Sequence, residues 1–155
     1  VFGGVYKLAA VKHGDEFVPK IKISENVGKI TTPCFKNLWR LYDNVTGKAI
    51  ADVITLKDEV IDSNEPYELF DAEYTWKRKT VTNFTAKPLQ VQLFENGECV
   101  YTCPNLKETQ DFCKAQVDTL WDEVTRFEYP HKYYVDLSQK LWDEKHSLLE
   151  NKSKA

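Results

Sequence analysis

The clearest hydrophobic pattern lies in the last third of the chain, between Asn105 and Leu149. Asn105 and Glu108 have the spacing of a capping box, which predicts that a helix begins directly after Asn105. Pro130 is predicted to end this helix, because the residue before a proline avoids helical torsion angles. Apolar residues recur between these limits at steps of three and four, and so share one helix face: Cys113, Val117, Leu120, Val124 and Phe127.

A second helix is predicted to begin at Asp136, with Leu137, Leu141, Leu148 and Trp142 directed inward. Neither apolar face can remain in water. The two helices are therefore expected to bury these faces against each other or against a sheet.

The first two thirds of the chain is predicted to be rich in strands, and its segments 17–23 and 89–93 alternate between apolar and polar residues with the period of two that is typical of strands. Strands are predicted at residues 5–11, 17–23, 35–42, 48–56, 70–79, 89–93 and 99–102. Asn96-Gly97 is the strongest turn signal, since both residues tolerate the positive φ of a tight hairpin. The expected fold class is α+β: mostly antiparallel strands followed by two C-terminal helices. The chain is expected to form one domain over residues 1–155, with a strand-rich part at 1–103 and a helical part at 104–155.

The bulk composition is that of a soluble globular protein, with 42% hydrophobic and 29% charged residues. A net charge of −3 gives no electrostatic reason to expect nucleic acid or an anionic membrane as a partner. No apolar run could span a bilayer and no signal-peptide pattern is present, so a cytoplasmic location is expected. The chain begins with Val1 and contains no methionine, which favours a piece of a longer protein.

No catalytic or metal-binding constellation is predicted. The four cysteines form no Cys-x-x-Cys pair and have no nearby histidine, so reduced and mostly buried thiols are expected. His13, His131 and His146 are placed in a turn, an interhelix loop and a polar helix face, where a histidine is usually solvated. Neither a nucleophile elbow nor a phosphate-binding loop occurs. The tryptophans are assigned to core and interface: Trp39, Trp76, Trp121 and Trp142.

Two weak signals for anion binding remain. Gly3 and Gly4 can bring bare backbone N–H groups close to a phosphate, because glycine has no Cβ. From these residues alone, a simple turn into the first strand is the favoured alternative. Lys77-Arg78-Lys79 forms a compact basic group beside Trp76. The same residues also fit a solvated strand end, and three charges are too few to choose between this alternative and an anion site.

A series of short segments resembles the nicotinate phosphoribosyltransferase family, in the part that follows the catalytic barrel. The segments keep one order and cover nearly the whole chain: GGVYKL at 3–8, PKIKISEN at 19–26, KIT at 29–31, RLYD at 40–43, TGKAIAD at 46–52, TWKRK at 75–79, NFT at 83–85, WDEV at 121–124 and PHKYYVDLS at 130–138. Several matches in the same order are more specific than any one motif.

The resemblance implies an enzyme that joins nicotinate to 5-phosphoribosyl pyrophosphate, coupled to ATP hydrolysis. Its product would be nicotinate mononucleotide, in NAD salvage. The resemblance also implies Mg2+, a homodimer, and an N-terminal domain and α/β barrel upstream of this chain. The family's phosphorylatable histidine and most of its substrate ligands precede Val1, and no histidine here lies in a matching motif. The fragment is therefore expected to bind neither ATP nor metal and to be inactive alone.

A glycine at the position of Gly3-Gly4 lies near the ribonucleotide phosphate in the wider family. The resemblance therefore implies that Gly3 and Gly4 contact a substrate phosphate in the intact enzyme. The competing interpretation is a stand-alone, non-catalytic protein-interaction module that uses the same domain. Residues upstream of Val1 that form a barrel would distinguish the two.

Overall fold

The computed structural model describes residues 3–153, and its architecture is α+β with antiparallel strand pairs, which confirms the predicted fold class. The chain divides into two compact units. Unit 1 holds the described residues up to Asn37, Ile54–Val60 and the described residues from Leu137 onward, and unit 2 holds Leu38–Val53 and Ile61–Asp136. Such units need not be separate domains, so the single domain over 1–155 stays a prediction.

Ten strands and three α-helices form within the described residues. The strands are β1 Ala10–His13, β2 Glu16–Pro19, β3 Lys36–Asp43, β4 Ala49–Leu56, β5 Tyr67–Phe70, β6 Arg78–Val81, β7 Phe84–Pro88, β8 Phe94–Glu95, β9 Glu98–Cys99 and β10 Val135–Leu137. The helices are α1 Leu106–Asp118, α2 Asp122–Thr125 and α3 Gln139–Ser153. None of these helices has the length and apolar content needed to cross a bilayer.

The largest sheet has four strands in the order β10-β4-β3-β7. In unit 2, β3 and β7 run antiparallel, with Leu41 opposite Ala86 and Asp43 opposite Phe84. The hydrophobic core of this unit collects apolar residues from β3 to β7: Leu41, Ala51, Val53, Ile61, Leu69, Val81 and Phe84. The core therefore forms around the strands β3 and β4 and the elements that pack against them.

The predicted strands at 35–42 and 48–56 are confirmed as β3 and β4. The predicted hairpin at Asn96-Gly97 is also confirmed, because both residues have positive φ, 50° and 88°, between β8 and β9. The strand at 5–11 is wrong in extent, since the β1–β2 ladder ends where Ala10 faces Pro19, and the strand at 17–23 stops there too. Just beyond this pair the Ala9 carbonyl accepts both the Lys20 N–H and the Cys34 N–H, each at 2.8 Å, so it is shared with another segment.

Two further predicted strands are wrong. Residues 70–79 do not form one strand, because the chain turns after Phe70 and returns as β6. Residues 89–93 form no strand, and β7 lies just before them, where its residues pair with β3. In both places tertiary pairing, rather than local alternation, decides which residues are extended.

The start of α1 is confirmed as predicted, but its end and its buried face are wrong. The Asn105 side chain accepts the Glu108 N–H at 3.0 Å, and the Glu108 carboxylate accepts the Asn105 N–H at 2.8 Å. The helix ends at Asp118, not near Pro130. Lys48 Nζ donates to the carbonyls of Asp118 and Leu120, at 3.0 and 2.8 Å, and so satisfies acceptors that a longer helix would use.

The apolar stripe predicted for this helix is not buried: Cys113 and Val117 of α1 are exposed. Of the stripe residues beyond α1, Leu120 and Val124 are half-buried and Phe127 is 99% exposed. The second helix begins at Gln139, not at Asp136, because Val135–Leu137 form β10. Ser138 Oγ accepts the Leu141 N–H at 3.2 Å and so caps this helix. Leu141 is fully buried, as predicted, and Trp142 and Leu148 are half-buried.

All four cysteines are free, but the prediction that they are mostly buried is wrong. Only Cys34 is buried, and its burial raises the pKa of its thiol. Cys99, Cys103 and Cys113 are exposed, because the segment that carries them contributes nothing to the core.

Candidate functional site

A cleft of about 1100 Å³ lies within unit 2. It is lined by the β5–β6 hairpin, by residues around α2 and by the segment Pro130–Asp136 that leads into β10. Two of the segments that carry the family resemblance, TWKRK and PHKYYVDLS, therefore contribute to one cleft although they are far apart in sequence.

The hairpin side of the cleft is built around Asp71. Its Oδ1 accepts the backbone N–H groups of Glu73 and Tyr74, both at 2.9 Å. These bonds turn the chain directly after β5, and the Tyr74 N–H is the main reason that the pKa of Asp71 is lowered. The turn closes where the Lys77 N–H donates to the Tyr74 carbonyl at 2.8 Å.

The basic group Lys77-Arg78-Lys79 lies on this hairpin, and two of its charged side chains contact aromatic rings or a carboxylate. Lys77 Nζ lies 4.3 Å from the Tyr74 ring centroid and 5.3 Å from that of Trp76. Arg78 forms an ion pair with Glu68 and lies 4.9 Å from the Phe70 ring centroid. Trp76 is 75% exposed, so it does not belong to the core, and an interface role for it stays a prediction.

The 130–134 segment of the cleft is held by a partly buried cluster of three polar side chains. The Arg40 guanidinium donates to both carboxylate oxygens of Asp52, at 2.7 and 2.9 Å, and the Tyr133 hydroxyl donates to Oδ1 at 3.0 Å. The Asp52 N–H also donates to the Tyr134 carbonyl at 3.0 Å. Burial and the Asp52 charge raise the pKa of Tyr133, and the hydrogen bond to Asp52 raises that of Arg40. Strand β4 thereby positions the 130–134 segment.

Asp136 lies at the end of this segment and is only 5% exposed. Its carboxylate lines the cleft, and no hydrogen bond joins it to any residue in the described range 3–153. Burial, followed by the negative charge of Asp71, raises the pKa of Asp136 to about 6, although Lys132 opposes this shift. Because this carboxylate opens into the cleft, it can accept a hydrogen bond from water or from a bound group.

The cleft lining combines charged, aromatic and aliphatic side chains, a mixture that is suited to ligand binding. Four basic and four acidic side chains line the cleft, together with aromatic and aliphatic ones. Among the described lining residues there is neither a serine nor a cysteine that could act as a nucleophile. Across residues 3–153, no group of three or more His, Cys, Asp and Glu is arranged to hold a metal ion.

The residues singled out from the sequence are dispersed. Gly3 and Gly4 are exposed in unit 1, and a Cβ added at either would meet no atom within 4 Å, so their phosphate contact stays a prediction. His13 and His131 are exposed, and His131 lines the cleft. His146 is not solvated as predicted: it is half-buried, and its ring stacks on Trp142 with centroids 3.6 Å apart.

Sequence reasoning missed Asp71 and Asp136. Asp136 lies between Val135 and Leu137, and this acidic residue inside an apolar run was interpreted as the start of a helix. Its position between two strand residues could have indicated a functional carboxylate. Asp71 had no local signal, because only the hairpin brings it to the cleft.

Comparison with known proteins gives one consistent family. A family profile described as "Nicotinate phosphoribosyltransferase C-terminal domain" matches residues 35–145. The chain is 36% identical over 143 residues to nicotinate phosphoribosyltransferase of Bacillus subtilis, covering 92% of this chain and 29% of the relative. Over 150 residues it is 30% identical to the Caenorhabditis elegans nicotinate phosphoribosyltransferase, covering 94% of this chain and 25% of that relative.

A solved structure agrees in fold. The crystal structure of human nicotinic acid phosphoribosyltransferase matches with a TM-score of 0.67 and 23% identity, over 76% of this chain and 23% of the human chain. The chain, and the cleft within it, therefore corresponds to less than a third of the length of each of these relatives.

Proposed function

The chain belongs to the nicotinate phosphoribosyltransferase C-terminal domain family, and from this membership we propose that it works as the C-terminal domain of an enzyme that forms nicotinate mononucleotide. The substrates would be nicotinate and 5-phosphoribosyl pyrophosphate, with coupled ATP hydrolysis and Mg2+ in NAD salvage. The observation that carries the proposal is the match to the Bacillus subtilis enzyme, at 36% identity over 92% of this chain.

The domain is proposed to act as a scaffold rather than as the catalytic centre. Supporting this, the cleft offers positioned charges and aromatic rings, but neither a serine nor a cysteine is among its described lining residues. ATP, Mg2+ and most of the substrate contacts would belong to upstream N-terminal and barrel domains. A cytoplasmic homodimer is part of the same proposal.

An exposed apolar arm supports a role in contacting those upstream domains. The arm comprises residues 89–118, which include the β8–β9 hairpin and α1. Its exposed apolar side chains are Val91, Leu93, Phe94, Val100, Leu106, Phe112 and Val117. Since the chain spans only 29% of the Bacillus subtilis relative, the remainder of such a chain would be large enough to cover them.

Gly3 and Gly4 are proposed to approach a substrate phosphate in the intact enzyme. Both are exposed and have space for a Cβ in this domain, so alanine should not disturb its folding. In the full-length product, Gly4→Ala is expected to raise the KM for phosphoribosyl pyrophosphate roughly tenfold if a backbone contact to the phosphate is lost. An unchanged KM would remove Gly4 from the proposed site.

The main test is the activity of the full-length product of the reading frame. That product is expected to convert nicotinate, phosphoribosyl pyrophosphate and ATP into nicotinate mononucleotide, detected by chromatography. The 155-residue chain alone is expected to give no more product than a control without protein. Product formation by the 155-residue chain would contradict the scaffold role.

The second candidate is a stand-alone interaction module, and the exposed arm is the observation that favours it. The two candidates differ in what precedes Val1. A reading frame that encodes no barrel, together with a stable complex between the 155-residue chain and another protein, would favour the module and exclude the enzyme.

A further inference from the structure

A small acidic pocket opens beside the cleft in unit 2. Its volume is about 150 Å³, and it is lined by Asp71, Ala72, Glu73 and the segment from Lys132 to Asp136. The volume that one water molecule occupies in the liquid is about 30 Å³, so this pocket has room for a group of several heavy atoms.

The charges of the pocket are unbalanced. Three carboxylates, those of Asp71, Glu73 and Asp136, line it with one ammonium group, that of Lys132. Asp71 is already satisfied by two backbone N–H groups. Asp136 differs, because it is 5% exposed, its carboxylate opens into the pocket, and no residue between 3 and 153 donates a hydrogen bond to that carboxylate.

A group that fills this pocket must therefore supply hydrogen-bond donors, and the excess of carboxylates favours a cation. The planar guanidinium of arginine and the ammonium of lysine have suitable charge and size. Phosphate or a carboxylate would be repelled by Asp71 and Asp136, so an anionic substrate does not fit here.

We propose that this pocket receives the basic side chain of an arginine or lysine from the upstream domains of the full-length enzyme, with Asp136 as its main acceptor. The proposal rests on the proposed function, because the upstream domains would supply the side chain. It assigns Asp136 as a residue that positions one domain against another, not as a catalytic residue.

The first experiment tests the chemistry of the pocket in the 155-residue chain, with L-arginine amide as the probe. NMR titration is expected to shift the backbone amide signals of residues 71–73 and 132–136 in a saturable way. Asp136→Asn, which keeps the shape but removes the charge, is expected to weaken this binding about tenfold. Asp58→Asn, at an exposed carboxylate outside the pocket, is the matched control and should bind as the wild type does. Equal affinity in wild type and Asp136→Asn would overturn the proposal.

The second experiment tests the source of the cation in the full-length product. If an upstream side chain fills the pocket, L-arginine amide is expected not to bind there. Asp136→Asn should then increase hydrogen exchange at residues 71–73 and 132–136 relative to Asp58→Asn. Binding of the probe to the full-length product as strongly as to the 155-residue chain would overturn the docking of an internal side chain and leave a site for a free cation. If no barrel is encoded upstream, the proposed function fails. The first experiment still shows whether the pocket of the 155-residue chain binds a cation through Asp136.

Discussion

The core of unit 2 and the arm at residues 89–118 contain similar apolar side chains but use them in opposite ways. In the core, β3 to β7 bury Leu41, Val53 and Phe84 almost completely. In the arm, Phe112 and Leu106 are mostly exposed, although α1 has a complete capping box. Local sequence signals therefore suffice to form the arm's helix, but not to bury its apolar face. The arm is bonded to the rest of the unit at its start, where the Leu89 N–H donates to the Leu38 carbonyl at 2.9 Å, and near the C-terminal end of α1.

That attachment is polar rather than hydrophobic. The Ala49 N–H donates to the Thr119 carbonyl at 2.8 Å, and Lys48 Nζ reaches the carbonyls of Asp118 and Leu120. Lys48 places a positive charge at the negative end of the helix dipole. The comparison predicts that mutations in the core reduce global stability, whereas mutations in the arm change local order or binding.

The largest difference is expected between two phenylalanines. Phe84→Ala should reduce the free energy of unfolding by about 3–5 kcal/mol, because Phe84 is 1% exposed and its removal leaves a cavity. Phe112→Ala, in the arm, should change it by less than about 0.5 kcal/mol. Urea unfolding of both variants measures the two values. Similar losses would mean that α1 is packed in the isolated chain.

The polar cluster beneath the cleft is expected to have the next largest effect. Asp52→Ala should cost about 3 kcal/mol, because Arg40 would remain partly buried without its bidentate acceptor and Tyr133 would lose its own. Asp111→Ala removes an exposed ion pair with Lys107 in the arm and should cost at most about 0.5 kcal/mol. Thermal unfolding monitored by circular dichroism would rank the two. An Asp52→Ala variant as stable as wild type would contradict the structural role of the cluster.

Asp136 tests whether every buried group stabilises the folded chain. Its pKa is raised to about 6 from 3.8, so the folded state favours the protonated carboxyl. The stability contributed by this group is fully present below pH 3.8 and is lost as the pH rises through about 6. At pH 8, Asp136→Asn should therefore be more stable than the wild type by about 1–2 kcal/mol, with little difference at pH 4.

Denaturant unfolding of both proteins across this pH range measures the effect. Asp58→Asn, at an exposed carboxylate, should show no such pH-dependent gain. A constant difference between wild type and Asp136→Asn at every pH would show that the asparagine acts through packing rather than through charge.

The smallest effect is expected at the helix cap of the arm. Asn105→Ala removes the acceptor for the Glu108 N–H and should cost about 1 kcal/mol of local helix stability. Because α1 buries no residue, this loss should increase hydrogen exchange in residues 106–118 without shifting the unfolding of the core. A matching shift in the core's transition would show that arm and core unfold together.

Much of this protein was predictable from the sequence because the signals are local. The hairpin at Asn96-Gly97, the capping box at Asn105 and the strands β3 and β4 depend on torsional preferences and on residues a few positions apart. The ordered series of family motifs was equally visible, and the family profile over residues 35–145 confirms it.

The tertiary structure decided what depends on distant residues. Lys48 ends α1 at Asp118, pairing with β4 turns Val135–Leu137 into a strand, and the β5–β6 hairpin brings Asp71 and Asp136 to one pocket. Periodicity can indicate that a face is apolar, but not whether another element covers it, because burial requires a partner at the right place. The exposed apolar residues of α1 and the carboxylate of Asp136 at the cleft are both results of that dependence.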